Sequence, residues 1–127
     1  ALKPLVRIVG VQTESYPSLL ASFQAGKPVR IDPKPTICDG VAVPFVKEEM
    51  YPLLRKVVDE VVVVSEEKVK KTIRQLMLEK KLIVEGAGAL SVAAALEMLD
   101  PKRGKTVCLV SGGNIDLELL SEIIAEK

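Results

Sequence analysis

Apolar positions along this chain fall into two rhythms. Val6–Val11 (VRIVGV), Val61–Val64 (VVVV) and Val107–Val110 (VCLV) are short apolar runs rich in β-branched residues, the pattern of buried strands. Between them the spacing turns helical. Ser18–Ala25 predicts a helix stopped by Gly26, and Lys47–Asp59 predicts one that Pro52 breaks or kinks near its middle. Ser65 predicts an N-cap, with Glu66 and Glu67 in a first turn where acids suit the positive end of the dipole. That helix puts Val69, Ile73, Leu76 and Met77 on one face. Gly86–Leu99 (GAGALSVAAALEML) predicts a small-residue helix that must pack closely on a neighbour, and Ile115–Glu126 predicts the last helix. Lys27–Pro44, rich in Pro, Gly and Asp, predicts an extended loop, and Leu82–Val84 is too short to assign. The order predicts an α/β fold in three layers, a mostly parallel sheet flanked by helices.

Composition narrows the function classes. With 127 residues the chain suffices for one small domain, and with 3% aromatics its core must be Val, Leu, Ile and Ala. A net charge of +1, with acids and bases interleaved, leaves no electrostatic footprint for nucleic acid or an anionic membrane. There is no histidine, which excludes a nucleophile triad built on one. Cys38 and Cys108 lack metal-ligand spacing, so no zinc site is expected; Cys108 reads as a reduced core residue, and a cytoplasmic location is expected. No apolar stretch approaches the roughly 20 residues of a membrane span. The chain opens on ALKP rather than on methionine, as a piece beginning inside a domain would. The adjacent acids Glu48-Glu49 and Glu66-Glu67 read as surface charges.

Ligands of open parallel sheets sit beyond the carboxyl ends of the strands, where three glycine turns compete: Cys38-Asp39-Gly40, Glu85-Gly86-Ala87-Gly88, and Ser111-Gly112-Gly113-Asn114. Each has two readings. The last is either a tight connection capped by Asn114 or Asp116, or a rigid mount for Ser111 with backbone open to a flat ligand. The second is either a weak phosphate loop, with Ser91 where the third glycine of a dinucleotide fingerprint belongs, or a device for close helix packing. Glu85 either pairs with a lysine or faces a ligand.

The motifs ALKP, GVQTES, CDGVAV, VVDEVVVVSEE, VEGAGAL and VSGGNIDL, in that order, resemble pyridoxal-phosphate enzymes of fold type II. The nearest resemblance is to threonine dehydratases, with serine racemase and serine dehydratase beside them. It covers essentially the whole chain, and SGGNID joined to EGAGA is far more specific than either alone. The resemblance implies pyridoxal 5'-phosphate as cofactor and L-threonine or L-serine as substrate, taken by β-elimination to a 2-oxo acid and ammonia. It implies that Ser111, followed by Gly112, meets the pyridine nitrogen, and that Glu85, Asp39 and Gly40 lie near the ring; Cys38 stands where the family has alanine. Relatives regulated by adenine nucleotides suggest an effector pocket touching Asn114 and Lys81. A racemase, or a non-catalytic α/β module for binding or oligomer contacts, are the alternatives.

Several family features find no match here. The Schiff-base lysine, the substrate-carboxylate loop and the glycine-rich phosphate loop have no counterpart, so residues 1–127 are expected to be the C-terminal portion of the cofactor-binding domain, with no catalytic residue in this chain and no activity alone. The cation ligands of racemase-like members fall on Gln12 and Ser18, with Glu14 out of register, so no metal is expected. A homo-oligomer is expected, from the resemblance and from the exposed sheet edge.

Overall fold

The computed structural model describes residues 5–98 and 104–126; the ALKP stretch and Leu99, the expected end of the small-residue helix, lie outside them. Strands β1 (Val9–Thr13) and β2 (Glu60–Val64) pair in parallel, Val9 opposite Glu60 and Thr13 opposite Val64. The first strand was expected from Val6. Its ladder opens at Val9 because the partner begins at Glu60, leaving Leu5, Val6 and Ile8 exposed. Alternation then sends Val11 and Thr13, with Val62 and Val64, to one face of the sheet, and Gln12 to the other.

The first face carries the core. Helix α3 (Glu66–Gln75) contributes Val69 and Ile73, α4 (Gly86–Glu97) contributes Ala89, Leu90, Ala93 and Ala94, and α5 (Leu117–Ala125) contributes Leu120 and Ile123. The small side chains of α4 let it contact α3 and both strands. On the opposite face lie α1 (Ser18–Ala25) and α2 (Tyr51–Val57), joined by an edge-on contact of Phe23 with Tyr51 at 6.0 Å and by a bond from the Tyr51 hydroxyl to the Ser22 carbonyl. Helices thus cover both faces of a parallel sheet, as the element order predicts.

The ends of the helices are set locally. Pro17 gives α1 no side-chain cap; Gln12 supplies one from the neighbouring strand, its Oε1 accepting from the Leu19 and Leu20 amides at 3.0 Å each. Its Nε2 donates to the Tyr16 carbonyl and to Ser18 Oγ. Pro52 does not kink a longer helix. It sits in the first turn of α2, where no amide hydrogen is required, so the helix is shorter than Lys47–Asp59. Ser65 caps α3 as expected, accepting from the Lys68 amide. A wider turn, Leu76–Lys80, extends α3 and stops at Lys81 in the left-handed region. Asp116 caps α5, accepting from the Glu118 and Leu119 amides, so that helix starts two residues after Ile115.

The expected strand Val107–Val110 does not form. No backbone ladder joins it to either strand among the described residues, and Val107 and Leu109 are 93% and 75% exposed. A branched apolar run becomes a strand only when a second strand accepts its hydrogen bonds.

Candidate cofactor site

The three glycine turns meet. Asp39–Val41 forms a single 3-10 turn, closed by bonds from the Val41 amide to the Cys38 carbonyl and from the Ala42 amide to the Asp39 carbonyl. Glu85 stands at the N-cap of α4 but does not cap it. Its carboxylate turns away and accepts from the Asn114 amide at 2.9 Å, while its own amide donates to the Gly112 carbonyl at 3.1 Å. Glu85 and the Ser-Gly-Gly-Asn turn therefore brace each other through two bonds of opposite direction.

Closeness explains the glycines. A Cβ on Gly86 would lie 2.1 Å from the Ile37 carbonyl oxygen, and one on Gly88 2.5 Å from that of Gly112. A Cβ on Gly112 would fall 2.4 Å from Glu85 Oε1, and one on Gly40 would meet both Glu85 and Ala87 at 3.2 Å. The backbones of three separate segments touch here, which side chains would prevent. Of the two readings of GAGA, close packing is the one the geometry supports.

The site residues predicted from the sequence divide accordingly. Gly40, Glu85 and Gly112 are in one cluster. Asp39 lies exposed at its rim, its carboxylate accepting from the Gly40 amide. Ser111 is exposed and makes no hydrogen bond among the described residues. Glu85 pairs with no lysine among those residues. Asn114 is exposed beyond its backbone bond to Glu85, and Lys81 is exposed with its ammonium on the Leu78 carbonyl at 2.7 Å; no hydrogen bond joins the two. Gln12 is engaged in capping α1, and the Ser18 hydroxyl donates to the Val43 carbonyl and accepts from Gln12 Nε2. Among the described residues no cluster of His, Cys, Asp or Glu is suited to a metal ion. Two surface hollows, of about 390 and 410 Å³, lie elsewhere, beside Arg30 and Phe45 and beside Lys70 and Arg74.

One residue was misread. Glu66 is not a surface charge like Glu67: it is half-buried behind the Asp39-Gly40 turn. Burial raises its pKa, but hydrogen bonds from Thr13, Thr36 and the Ile37 amide outweigh that and hold it below the ordinary glutamate value. The fully buried Cys38 beside it is pushed up to about 12, by burial first and then by the Glu66 charge. The strand register carried the signal: Thr13 and Val64 are opposite, so Glu66 must rise from the same carboxyl edge as Thr13.

A sequence model of the pyridoxal-phosphate-dependent enzyme family matches residues 1–113. The chain belongs to that family. Curated members similar to it include an L-threonine ammonia-lyase of Thermotoga maritima, 43% identical over 98% of this chain and 31% of that protein. Another, from Geobacter sulfurreducens, is 44% identical over 95% of this chain and 30% of that protein. The chain thus spans about a third of the length of these relatives. Among solved structures, a processed threonine deaminase isoform of Solanum lycopersicum superposes with a TM-score of 0.86 at 28% identity, over 96% of this chain and 36% of that one. Maize serine racemase superposes at 0.80 with 29% identity, over 95% and 38%.

The family's cofactor is pyridoxal phosphate. The chemistry of the residues present suits a heterocyclic nitrogen: Ser111 offers an exposed hydroxyl with no competing partner among the described residues, beside the seam where Gly40 and Gly112 pack against Glu85.

Proposed function

We propose that this chain is the C-terminal portion of the cofactor-binding domain of a threonine/serine dehydratase. The intact enzyme would convert L-threonine by β-elimination to 2-oxobutanoate and ammonia, and residues 1–127 alone would be inactive. The observation that carries the reading is the meeting of three glycine turns around Glu85, in a chain whose curated relatives are named L-threonine ammonia-lyases. Exposed Val107, Leu109 and Leu117 fit the same reading, as surface that the remainder of a larger domain would cover.

Bound pyridoxal phosphate supplies an electron sink for charge developing at the substrate Cα. Ser111 would donate to the ring nitrogen and, being uncharged, leave that nitrogen unprotonated. A carboxylate there would hold a proton and strengthen the sink. The hydroxyl keeps it weak, so charge at Cα has reason to expel the β-hydroxyl, and elimination prevails over transamination. Glu85, Asp39, Gly40 and Gly112 would frame the ring, Glu85 fixing the turn that presents Ser111. No lysine among the described residues is buried as the amine of a covalent anchor would be.

The test uses the complete enzyme. Ser111→Asp is expected to move product from elimination toward transamination, and an unaltered ratio of products would refute the role of Ser111. Serine racemase similarity gives the second reading. Chiral analysis after incubation with L-serine separates them, D-serine supporting racemisation and pyruvate with ammonia supporting dehydration. Titration with an adenine nucleotide tests an effector pocket at Asn114 and Lys81, and sedimentation of the intact enzyme tests a homo-oligomer.

A further inference from the structure

The Asp39-Gly40 turn is held from behind by one carboxylate. Glu66 Oε1 accepts from the Thr13 hydroxyl, at the end of β1, and from the Thr36 hydroxyl at 2.6 Å. Its Oε2 accepts from the Ile37 amide at 2.9 Å. Thr36 Oγ1 in turn accepts from the Cys38 amide at 2.9 Å, and the Ser15 hydroxyl donates to the Pro35 carbonyl. The segment Pro35–Cys38 is thus tied down at successive residues. Its far side meets α4, where the Ile37 carbonyl leaves no space for a side chain at position 86.

The chemistry of these partners is specific. Glu66 makes no ion pair among the described residues; the donors to its carboxylate there are neutral hydroxyls and an amide. Glu67, its neighbour in the same first turn of α3, faces solvent and pairs with Lys71. Both acids complement the helix dipole equally. Only Glu66 reaches the loop. Bonds of neutral donors to a charged acceptor are worth about twice ordinary ones, and a donor left buried without its acceptor costs more still.

We infer that Glu66 is a positioning residue, a latch that fixes the turn carrying Asp39 and Gly40 against the carboxyl ends of β1 and β2. It touches neither Gly40 nor Glu85; it acts through Thr36 and Ile37. The inference concerns the turn, and its relevance to the cofactor rests on the function proposed above.

Cys38 provides a reporter, because its thiol is fully buried under the latched loop. In the complete enzyme, N-ethylmaleimide labelling of Cys38, located by peptide mass, should be about tenfold faster in Glu66→Gln than in the parent, in line with the loss of one charged acceptor. Glutamine keeps one acceptor oxygen but turns an amino group toward the donors. Glu67→Gln should label at the parental rate. Thr36→Val, which leaves α3 untouched, should reproduce the release, and Thr36→Ser should restore protection. This pair carries the test should Glu66→Gln fail to fold. Cys38 equally protected in Glu66→Gln and Thr36→Val would overturn the latch, and so would equal release in Glu66→Gln and Glu67→Gln. Pyridoxal phosphate affinity, read by absorbance, separates the two claims. Faster labelling with weaker cofactor binding supports both, whereas faster labelling with unchanged affinity supports the latch and counts against placing this turn beside the ring.

Discussion

Glycine serves two purposes in this chain, and comparing them locates the site. Gly26 ends α1 at φ +69°, with open space where a Cβ would stand. There it supplies a left-handed corner. At the seam between the Ile37–Gly40 segment, the start of α4 and the Ser-Gly-Gly-Asn turn, Gly86 and Gly112 supply proximity instead, letting backbones meet at distances no side chain allows. The corner concerns one residue's dihedral angles, whereas the seam concerns segments about 50 and 25 residues apart along the chain. Chemistry gathers at the seam, where Glu85, Ser111 and Asp39 stand on it or at its rim, whereas a Cβ on Gly26 would meet open space.

The largest consequence should follow at Gly86. A Cβ 2.1 Å from a backbone carbonyl cannot be relieved by rotating a side chain, so Gly86→Ala must separate α4 from the Ile37 segment. Overpacking of that kind costs about 3 kcal/mol or more, against which alanine's better helix propensity returns at most about 1 kcal/mol. Chemical denaturation of the complete enzyme should show the loss, together with weakened pyridoxal phosphate binding. A stability within about 0.5 kcal/mol of the parent would mean that surface-like tolerance applies and that the seam is not rigid.

Gly112→Ala should behave differently, because its nearest atoms belong to the Glu85 carboxylate, which can swing away. Stability should fall by about 1 kcal/mol, the worth of a displaced hydrogen bond to the Asn114 amide. Cofactor affinity should suffer more than stability does, since the turn that presents Ser111 loses its brace. A variant that lost stability but kept full affinity would detach Glu85 from the site.

How much of this was legible from residues alone follows the same division. Local signals were read correctly where one short segment suffices: Gly26 stopping α1, Ser65 capping α3, and the Val69, Ile73, Leu76 and Met77 face of the helix. The family was legible in SGGNID and EGAGA together. What escaped were features that depend on a neighbour. VCLV looks like a strand in isolation and lacks a partner to make it one. Pro52 looks like a kink until the helix is seen to begin just before it. Glu66 and Glu67 are the same residue type in the same first turn, and only the parallel register, with Thr13 level with Val64, shows that one of them faces a loop.

Acid should loosen the seam from behind. The pKa of Glu66 is lowered in the folded protein, so its contribution is present above the unfolded value of 4.5 and is lost as pH falls through the lower folded value. The stability advantage of the parent over Glu66→Gln should therefore be full at neutral pH and shrink below pH 4.5. Glu14, whose carboxylate accepts from the Glu66 amide, is common to both proteins. Denaturant midpoints measured on both across pH 3–7 give the difference directly. A constant difference across that range would assign the lowered pKa no energetic role.

The smallest effect should come from the corner. Alanine at position 26 must adopt a left-handed conformation costing about 1–2 kcal/mol, partly offset by the entropy glycine loses on folding, for a net cost of about 1 kcal/mol. Asparagine tolerates that conformation, so Gly26→Asn should cost less than Gly26→Ala although its side chain is larger. At the seam the ordering must reverse: at Gly86 a larger side chain can only be worse. Thermal melts of Gly26→Ala, Gly26→Asn, Gly86→Ala and Gly86→Asn would show this crossing, because conformation governs one glycine and volume the other. If asparagine and alanine ranked alike at both positions, the distinction between a glycine that turns the chain and one that lets chains touch would fail.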